Sequence, residues 1–187
     1  SIQLNPLEQK LSNYEITIPG DPSTAGFFIG AALIIPNSKL TIKNILLNPT
    51  RIGLIKVLKK MNAQIHIIRQ WEELGETVGD IQILYSQLNS IDINETDIPA
   101  MIDELPVFAL IASQADGITR VSGARELRYK ESDRIKAICK NLKTLGVNIL
   151  ELNDGFVIEG PAYIKGGEIK SYHDHRIAMT FEIAKLM

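Results

Sequence analysis

The sequence predicts an α+β fold built from repeated βαβαββ units, and three observations carry that prediction. Three stretches open on an aspartate and run on as apolar helical segments: GDPSTAGFFIGAALI (20–34), IDELPVFALIASQ (102–114) and HDHRIAMTFEIAKLM (173–187). Asp21, Asp103 and Asp174 recur at intervals of about 82 and 71 residues, a long period of the kind that marks a structural repeat. After each of the first two segments the pattern switches in the same order, to strand, helix, strand, strand.

The elements follow in order. YEITI (14–18) alternates like a strand leading into the first repeat. Asp21 is placed as an N-cap, with Pro22 at the first helical position, where a missing N–H is harmless. KLTIKNI (39–45) alternates as a strand. NPTRIGLIKVLKKMNA (48–63) places Ile52, Ile55, Leu58 and Met61 on one helical face. QIHII (64–68) and DIQILY (80–85) are strands, with WEELGETVGD (71–80) expected as a polar connector between them. The second repeat opens with the strand SIDI (90–93) and a helix that Asp103 is expected to cap. GITRVSG (117–123) is a strand. ESDRIKAICKNLKTLG (131–146) is a helix with Ile135, Ile138, Leu142 and Leu145 inward and Gly146 as its C-cap. VNILEL (147–152) and GFVIEG (155–160) form a hairpin across Asn153-Asp154. EIKSY (168–172) is the expected strand before the third aspartate, Asp174, which is placed to cap the last helix. The units run over about 19–89, about 90–167 and, as the start of a third, about 168–187. The chain starts at Ser1 and stops at FEIAKLM inside an apolar helical pattern, so a fragment of a longer protein is expected.

Composition narrows the function classes. With 45% hydrophobic and 22% charged residues the chain has the apolar material for a real core. A net charge of −2 gives no reason to expect a nucleic-acid or membrane-surface partner. The longest apolar run, FFIGAALII (27–35), is far short of the roughly 18 residues of a membrane span. A single cysteine, Cys139, excludes an internal disulfide, fits a reducing cytoplasm and reads as a packing residue on a helix. His66, His173 and His175 have no zinc-type spacing.

Chemistry concentrates in LRYKESDRIKAI (127–138) and HDHRIAM (173–179). Helix N-termini favour anions and disfavour cations, yet Arg134 and Arg176 both fall in or near a first turn. One explanation is local neutralisation, Glu131 or Asp133 pairing with Arg134 and Asp174 with Arg176. The other is that two guanidinium forks converge on a ligand carrying phosphate and carboxylate. Asp103 and Glu131 are candidates for proton transfer, their pKa values set apart by burial and by neighbouring cations, although Asp103 also fits a plain N-cap. Lys130 alone says little, and a first-turn histidine such as His175 is commonly structural or exposed. The residues by themselves point to a small anionic ligand held at helix mouths, with an enzyme as one possibility.

GDPSTAGFFIGAALI, LNPTRIGLIKVLKKMNA, MIDELPVFALIA, ELRYKESDRI and DHRIAM, taken together and in this order, resemble the 5-enolpyruvylshikimate-3-phosphate (EPSP) synthase family over residues 19–180. The resemblance implies an enolpyruvyl-transferase lobe, an inside-out α/β barrel of βαβαββ units around buried helices. It implies two such lobes joined by a two-stranded hinge, with the active site in the cleft between them. On that mapping residues 1–18 are the last strand or strands of an upstream lobe and the hinge, and residues 19–187 an incomplete second lobe. The implied reaction moves the enolpyruvyl group of phosphoenolpyruvate to the 5-hydroxyl of shikimate 3-phosphate and releases phosphate, in the shikimate pathway of aromatic amino-acid biosynthesis. No metal or organic cofactor is implied, and the implied location is the cytoplasm.

The implied roles are Asp103 as the base on the 5-hydroxyl, which it also contacts, and Glu131 in proton transfer at the methylene carbon. Arg134 and Arg176 match arginines that grip phosphoenolpyruvate, Lys130 matches a lysine contacting shikimate 3-phosphate, and His175 has a supporting role. Tyr129 departs from the valine common at its position. The family's N-terminal lysine–serine–arginine group and the other lobe's phosphate contacts have no counterpart in the chain, so these 187 residues alone are expected to be inactive. Two alternatives stand beside this: a UDP-N-acetylglucosamine enolpyruvyl transferase, which resembles the same fold, and a non-catalytic module that kept it.

Overall fold

The computed structural model describes residues 3, 13 and 15–187. Helices α1 (Pro22–Ile34), α3 (Leu105–Ala112) and α5 (His175–Ala184) pack against one another at the centre. α1 and α3 are apolar on nearly every side and mostly buried: α1 leaves Thr24 and Phe28 exposed on one face, and all eight residues of α3 are buried. Small residues bring α1 close: a Cβ at Gly30 would lie 2.9 Å from Val107 Cγ2 and 3.2 Å from Ile111 Cδ1. α2 (Gly53–Lys60) and α4 (Arg134–Thr144) are amphipathic; α2 buries Leu54, Ile55, Val57 and Leu58 and leaves Lys56, Lys59 and Lys60 in solvent.

Two sheets flank these helices. Strands β1 (Lys39–Leu46), β2 (Gln64–Glu73) and β3 (Glu76–Leu84) form an antiparallel sheet in the order β1-β3-β2. Strands β4 (Asp92–Ile93), β5 (Gly117–Val121), β6 (Asn148–Leu152) and β7 (Gly155–Gly160) form a second sheet in the order β4-β5-β7-β6. β4 and β5 are parallel, with α3 lying in the crossover between them, and the β6–β7 hairpin turns at Asn153-Asp154 as expected. Gly20 makes a parallel bridge to Ile45, so the chain entering α1 meets β1 as β4 meets β5.

Several expectations need correction. The helix expected from 48 onward begins only at Gly53, because Asn48 folds its side chain onto Thr50 N in a turn. WEELGETVGD is not a connector: β2 and β3 continue through it to a two-residue turn, Leu74-Gly75, with both φ values positive (49° and 79°). Its polarity is that of a hairpin tip solvated on both faces. Tyr14 lies outside the described residues, and 15–18 form no ladder; Ile16 and Ile18 are exposed. Residues 168–172 are not a strand either. Lys170 is instead tied at both its C=O and its N–H to the Asn141 side-chain amide, at 2.9 and 3.2 Å. No helix among the described residues is long and apolar enough to cross a membrane.

Candidate active site

The charged residues of the two signature stretches meet at the starts of α3, α4 and α5. Asp174 caps α5, accepting from the N–H groups of Arg176 (3.0 Å) and Ile177 (3.4 Å). The same carboxylate, fully buried, accepts from Arg134 Nε at 2.8 Å and Nη2 at 3.4 Å, and from the Ser132 hydroxyl at 3.0 Å. Burial alone would raise the Asp174 carboxyl, but the hydrogen bonds and charge of Arg134, with Ser132 and the Arg176 N–H, outweigh it and hold its pKa below the usual value.

Arg134 is the largest fully buried side chain among the described residues, and it survives there because carboxylates surround it. Besides Asp174 it donates from Nη1 to Asp103 at 3.0 Å and from Nη2 to Glu131 at 2.6 Å. Asp103, 38% exposed at its side chain, is also the meeting point of Lys130 Nζ (4.0 Å) and Arg176 Nη2 (3.4 Å). Arg176 Nη1 donates to the Asp103 carbonyl at 3.4 Å. The floor of the cluster is thus a sealed Arg134–Asp174 pair. Its rim is Asp103, Lys130, Glu131 and Arg176, all with solvent access.

Asp103 does not cap its helix. It lies inside the short 3-10 turn Ile102–Glu104, and α3 starts after Glu104 without a side-chain cap. Its carboxylate accepts instead from Arg134 and lies within ion-pair distance of Arg176 and of Lys130, whose nearer partner is Glu126 at 3.2 Å. Of the local neutralisations, Glu131–Arg134 forms. Asp133 does not pair with Arg134; it caps α4 at Lys136 N and pairs with Arg128. Asp174 meets Arg176 only through the backbone N–H, the guanidinium reaching Asp103. His175, the first residue of α5, is exposed.

Two features went unseen in the sequence. Glu104, next to Asp103, is buried against α1: the Cβ position of Gly26 is 3.5 Å from its Cγ. Burial pushes its pKa up in spite of a hydrogen bond from Ser23 and the nearby charge of Arg176. Arg128 reaches across to the β6–β7 hairpin, a contact between segments that no local pattern announces. Among the described residues no group of three or more His, Cys, Asp or Glu side chains is arranged to hold a metal.

The family model for EPSP synthase (3-phosphoshikimate 1-carboxyvinyltransferase) matches residues 1–187, the whole chain. The chain belongs to the EPSP synthase family. A 3-phosphoshikimate 1-carboxyvinyltransferase from Endomicrobium trichonymphae is 53% identical over 181 residues, covering 96% of this chain and 42% of the relative. One of the same name from Persephonella marina is 49% identical over 180 residues, with the same coverage. The solved EPSP synthase from Acinetobacter baumannii superposes with a TM-score of 0.92 at 39% identity, over 96% of this chain and 42% of that one. The enolpyruvyl transferase NikO from Streptomyces tendae shares the fold at a TM-score of 0.69 and 16% identity, over 91% of this chain and 37% of that one. The fold is therefore that of the enolpyruvyl transferases, and this chain spans less than half the length of the EPSP synthases it matches.

Proposed function

We propose that the chain supplies one face of the active site of a longer EPSP synthase. That protein transfers the enolpyruvyl group of phosphoenolpyruvate to the 5-hydroxyl of shikimate 3-phosphate in the cytoplasm, without metal or organic cofactor. Residues 1–18 belong to the preceding lobe and hinge, and residues 19–187 to an incomplete lobe of three units. The observation that supports this best is the rim itself: two carboxylates and two cations converge, with solvent access, over one buried arginine.

The chemistry fits these groups. In the addition step Asp103 takes the proton of the attacking hydroxyl, whose oxygen bonds to C2 of phosphoenolpyruvate, while Glu131 delivers a proton to the methylene carbon. Collapse of the adduct breaks the C2–O bond to phosphate. Glu131 then removes a proton from the new methyl group to restore the enol ether, and phosphate leaves with the other proton. Lys130 contacts shikimate 3-phosphate, Arg176 and Arg134 hold phosphoenolpyruvate, and His175 supports Arg176. Positive charge at these positions offsets repulsion between the two anionic substrates. Four hydrogen bonds already engage Arg134, out of about five N–H donors in a guanidinium. Its partner Glu131 is half-exposed, so this is the bond a substrate carboxylate exchanges when it reaches Arg134. Arg176 is held only by two contacts of 3.4 Å and turns to a ligand more readily.

The rival acceptor, UDP-N-acetylglucosamine, draws no support from Cys139: it is buried within α4 and its thiol is pushed up to about 12 by burial, first, and by Glu151. The test is phosphate release from phosphoenolpyruvate by the longer protein with each acceptor in turn. Turnover with shikimate 3-phosphate and none with the nucleotide sugar is expected; the reverse pattern, or no turnover with either, contradicts the proposal. The 187-residue chain by itself should release no phosphate.

A further inference from the structure

Arg128 is not part of the rim, yet its guanidinium is the most fully committed in the chain. It lies in the 3-10 turn Arg125–Tyr129 and makes five hydrogen bonds. Nε donates to the Asn153 carbonyl at 2.8 Å. Nη1 donates to both oxygens of Asp133, at 3.1 and 2.9 Å. Nη2 donates to Glu151 at 3.0 Å and to the Leu152 carbonyl at 2.6 Å. Two of these acceptors are backbone carbonyls at the β6–β7 turn, which is itself tied to the chain before Arg125: Asp154 accepts from Gly123 N at 2.8 Å and Ala124 N at 2.7 Å.

The placement of these bonds matters more than their number. Arg128 and Asp133 bracket the segment 129–132, and their ion pair closes it into a short loop whose two ends are pinned by one side chain. That loop carries Lys130 and Glu131 toward Asp103 and Arg134, and Ser132 toward Asp174. Asp133 also caps α4, so the same carboxylate sets where the helix begins and hence where Arg134 enters the core. These bonds commit all three guanidinium nitrogens to protein acceptors.

We infer that Arg128 is a positioning residue for the transfer reaction: it clamps the Lys130–Glu131 loop to the β6–β7 hairpin so that both side chains reach the rim. This rests on the proposed function. The clamp needs a planar fork, because one ammonium group cannot serve acceptors on Asp133, Glu151 and the hairpin backbone together. Arg176 stands on α5, outside the clamp, and Arg134 stays anchored to the buried Asp174 at the start of α5, so the grip of both on phosphoenolpyruvate should survive the loss of Arg128.

The test compares wild type with Arg128→Gln, Arg128→Lys and the milder Glu151→Gln in the longer protein. In Arg128→Gln and Arg128→Lys, kcat should fall on the order of a hundredfold through misplacement of Glu131. KM for shikimate 3-phosphate, which Lys130 contacts, should rise about tenfold, with KM for phosphoenolpyruvate held within about twofold. Glu151→Gln should shift the same parameters less, and it serves where the Arg128 variants do not fold. A fall in kcat with both KM values unchanged, or both raised alike, overturns the inference. Hydrogen exchange on the 187-residue chain separates this from the functional proposal. The amides of Leu127, Lys136 and Ala137, which are hydrogen-bonded on either side of the clamp, should exchange about tenfold faster in Arg128→Gln while α3 and α5 keep their protection. Unchanged exchange at these amides overturns the clamp even if wild type is active; an inactive wild type overturns the functional proposal whatever the exchange shows.

Discussion

Replacing Asp174 removes the one fully buried carboxylate that meets Arg134. Breaking a buried ion pair by deleting one partner costs about 3–5 kcal/mol, because the remaining charge is left uncompensated. Arg134 keeps Asp103 and Glu131, both partly solvated, so Asp174→Ala should fall at the low end of the ionic cost, about 3 kcal/mol. The cap is lost as well: the N–H groups of Arg176 and Ile177 lose their acceptor, for about 1 kcal/mol more. A total of about 4 kcal/mol is a large share of a typical domain's 5–15 kcal/mol. Asp174→Asn keeps a good capping side chain but not the charge, so it should cost about 3 kcal/mol. Urea unfolding of the 187-residue chain, followed by circular dichroism, reads both values. If Asp174→Asn lies within about 1 kcal/mol of wild type, Asp103 and Glu131 neutralise Arg134 unaided and the buried pair is not what holds it.

Further expectations follow from the same structure. Because the folded Asp174 carboxyl lies below its ordinary 3.8, its stabilisation is complete above that value and is lost as pH falls through the lower folded value; Asp174→Asn should remove this acid limb from a plot of urea midpoint against pH. Glu104 works with the opposite sign: burial raises it above 4.5, so its contribution is present below that pH and lost as pH rises through the folded value, and Glu104→Gln should be less sensitive to pH there. Cys139, with its thiol at about 12, should react with a thiol reagent at neutral pH only as fast as the protein opens; prompt labelling of the native chain contradicts its burial. Gly53→Ala would set a Cβ 2.4 Å from the Ala100 carbonyl oxygen and 2.7 Å from the Ala100 Cβ, and should cost about 1–3 kcal/mol in the same urea experiment.

Much of this architecture is legible in the sequence because it is local. The buried helices announce themselves by apolar runs after an aspartate, and α4 by Ile135, Ile138 and Leu142 at helical spacing, all fully buried. What failed was whatever depends on partners. EIKSY alternates like a strand but meets the Asn141 amide instead of a neighbouring strand. Asp103 has a cap's position, yet cations from α4, from α5 and from the segment before α4 redirect its carboxylate. The rim residues stood out as charges of both signs at helix starts. Their convergence follows from packing α3, α4 and α5 together, which no single stretch encodes. The Arg128 clamp and buried Glu104 are of the same kind, polar groups whose acceptors or neighbours lie on other elements.

On the proposed function, Lys130 and Arg176 are the rim cations that meet the substrates, with Arg134 beneath them. Nitrogen-detected NMR of the arginine and lysine side chains in the longer protein, titrated with shikimate 3-phosphate and then phosphoenolpyruvate, addresses it directly. Lys130 should shift with the first ligand and Arg176 with the second, while Arg128 stays fixed. Substrate-dependent shifts that leave both Lys130 and Arg176 unmoved would contradict it.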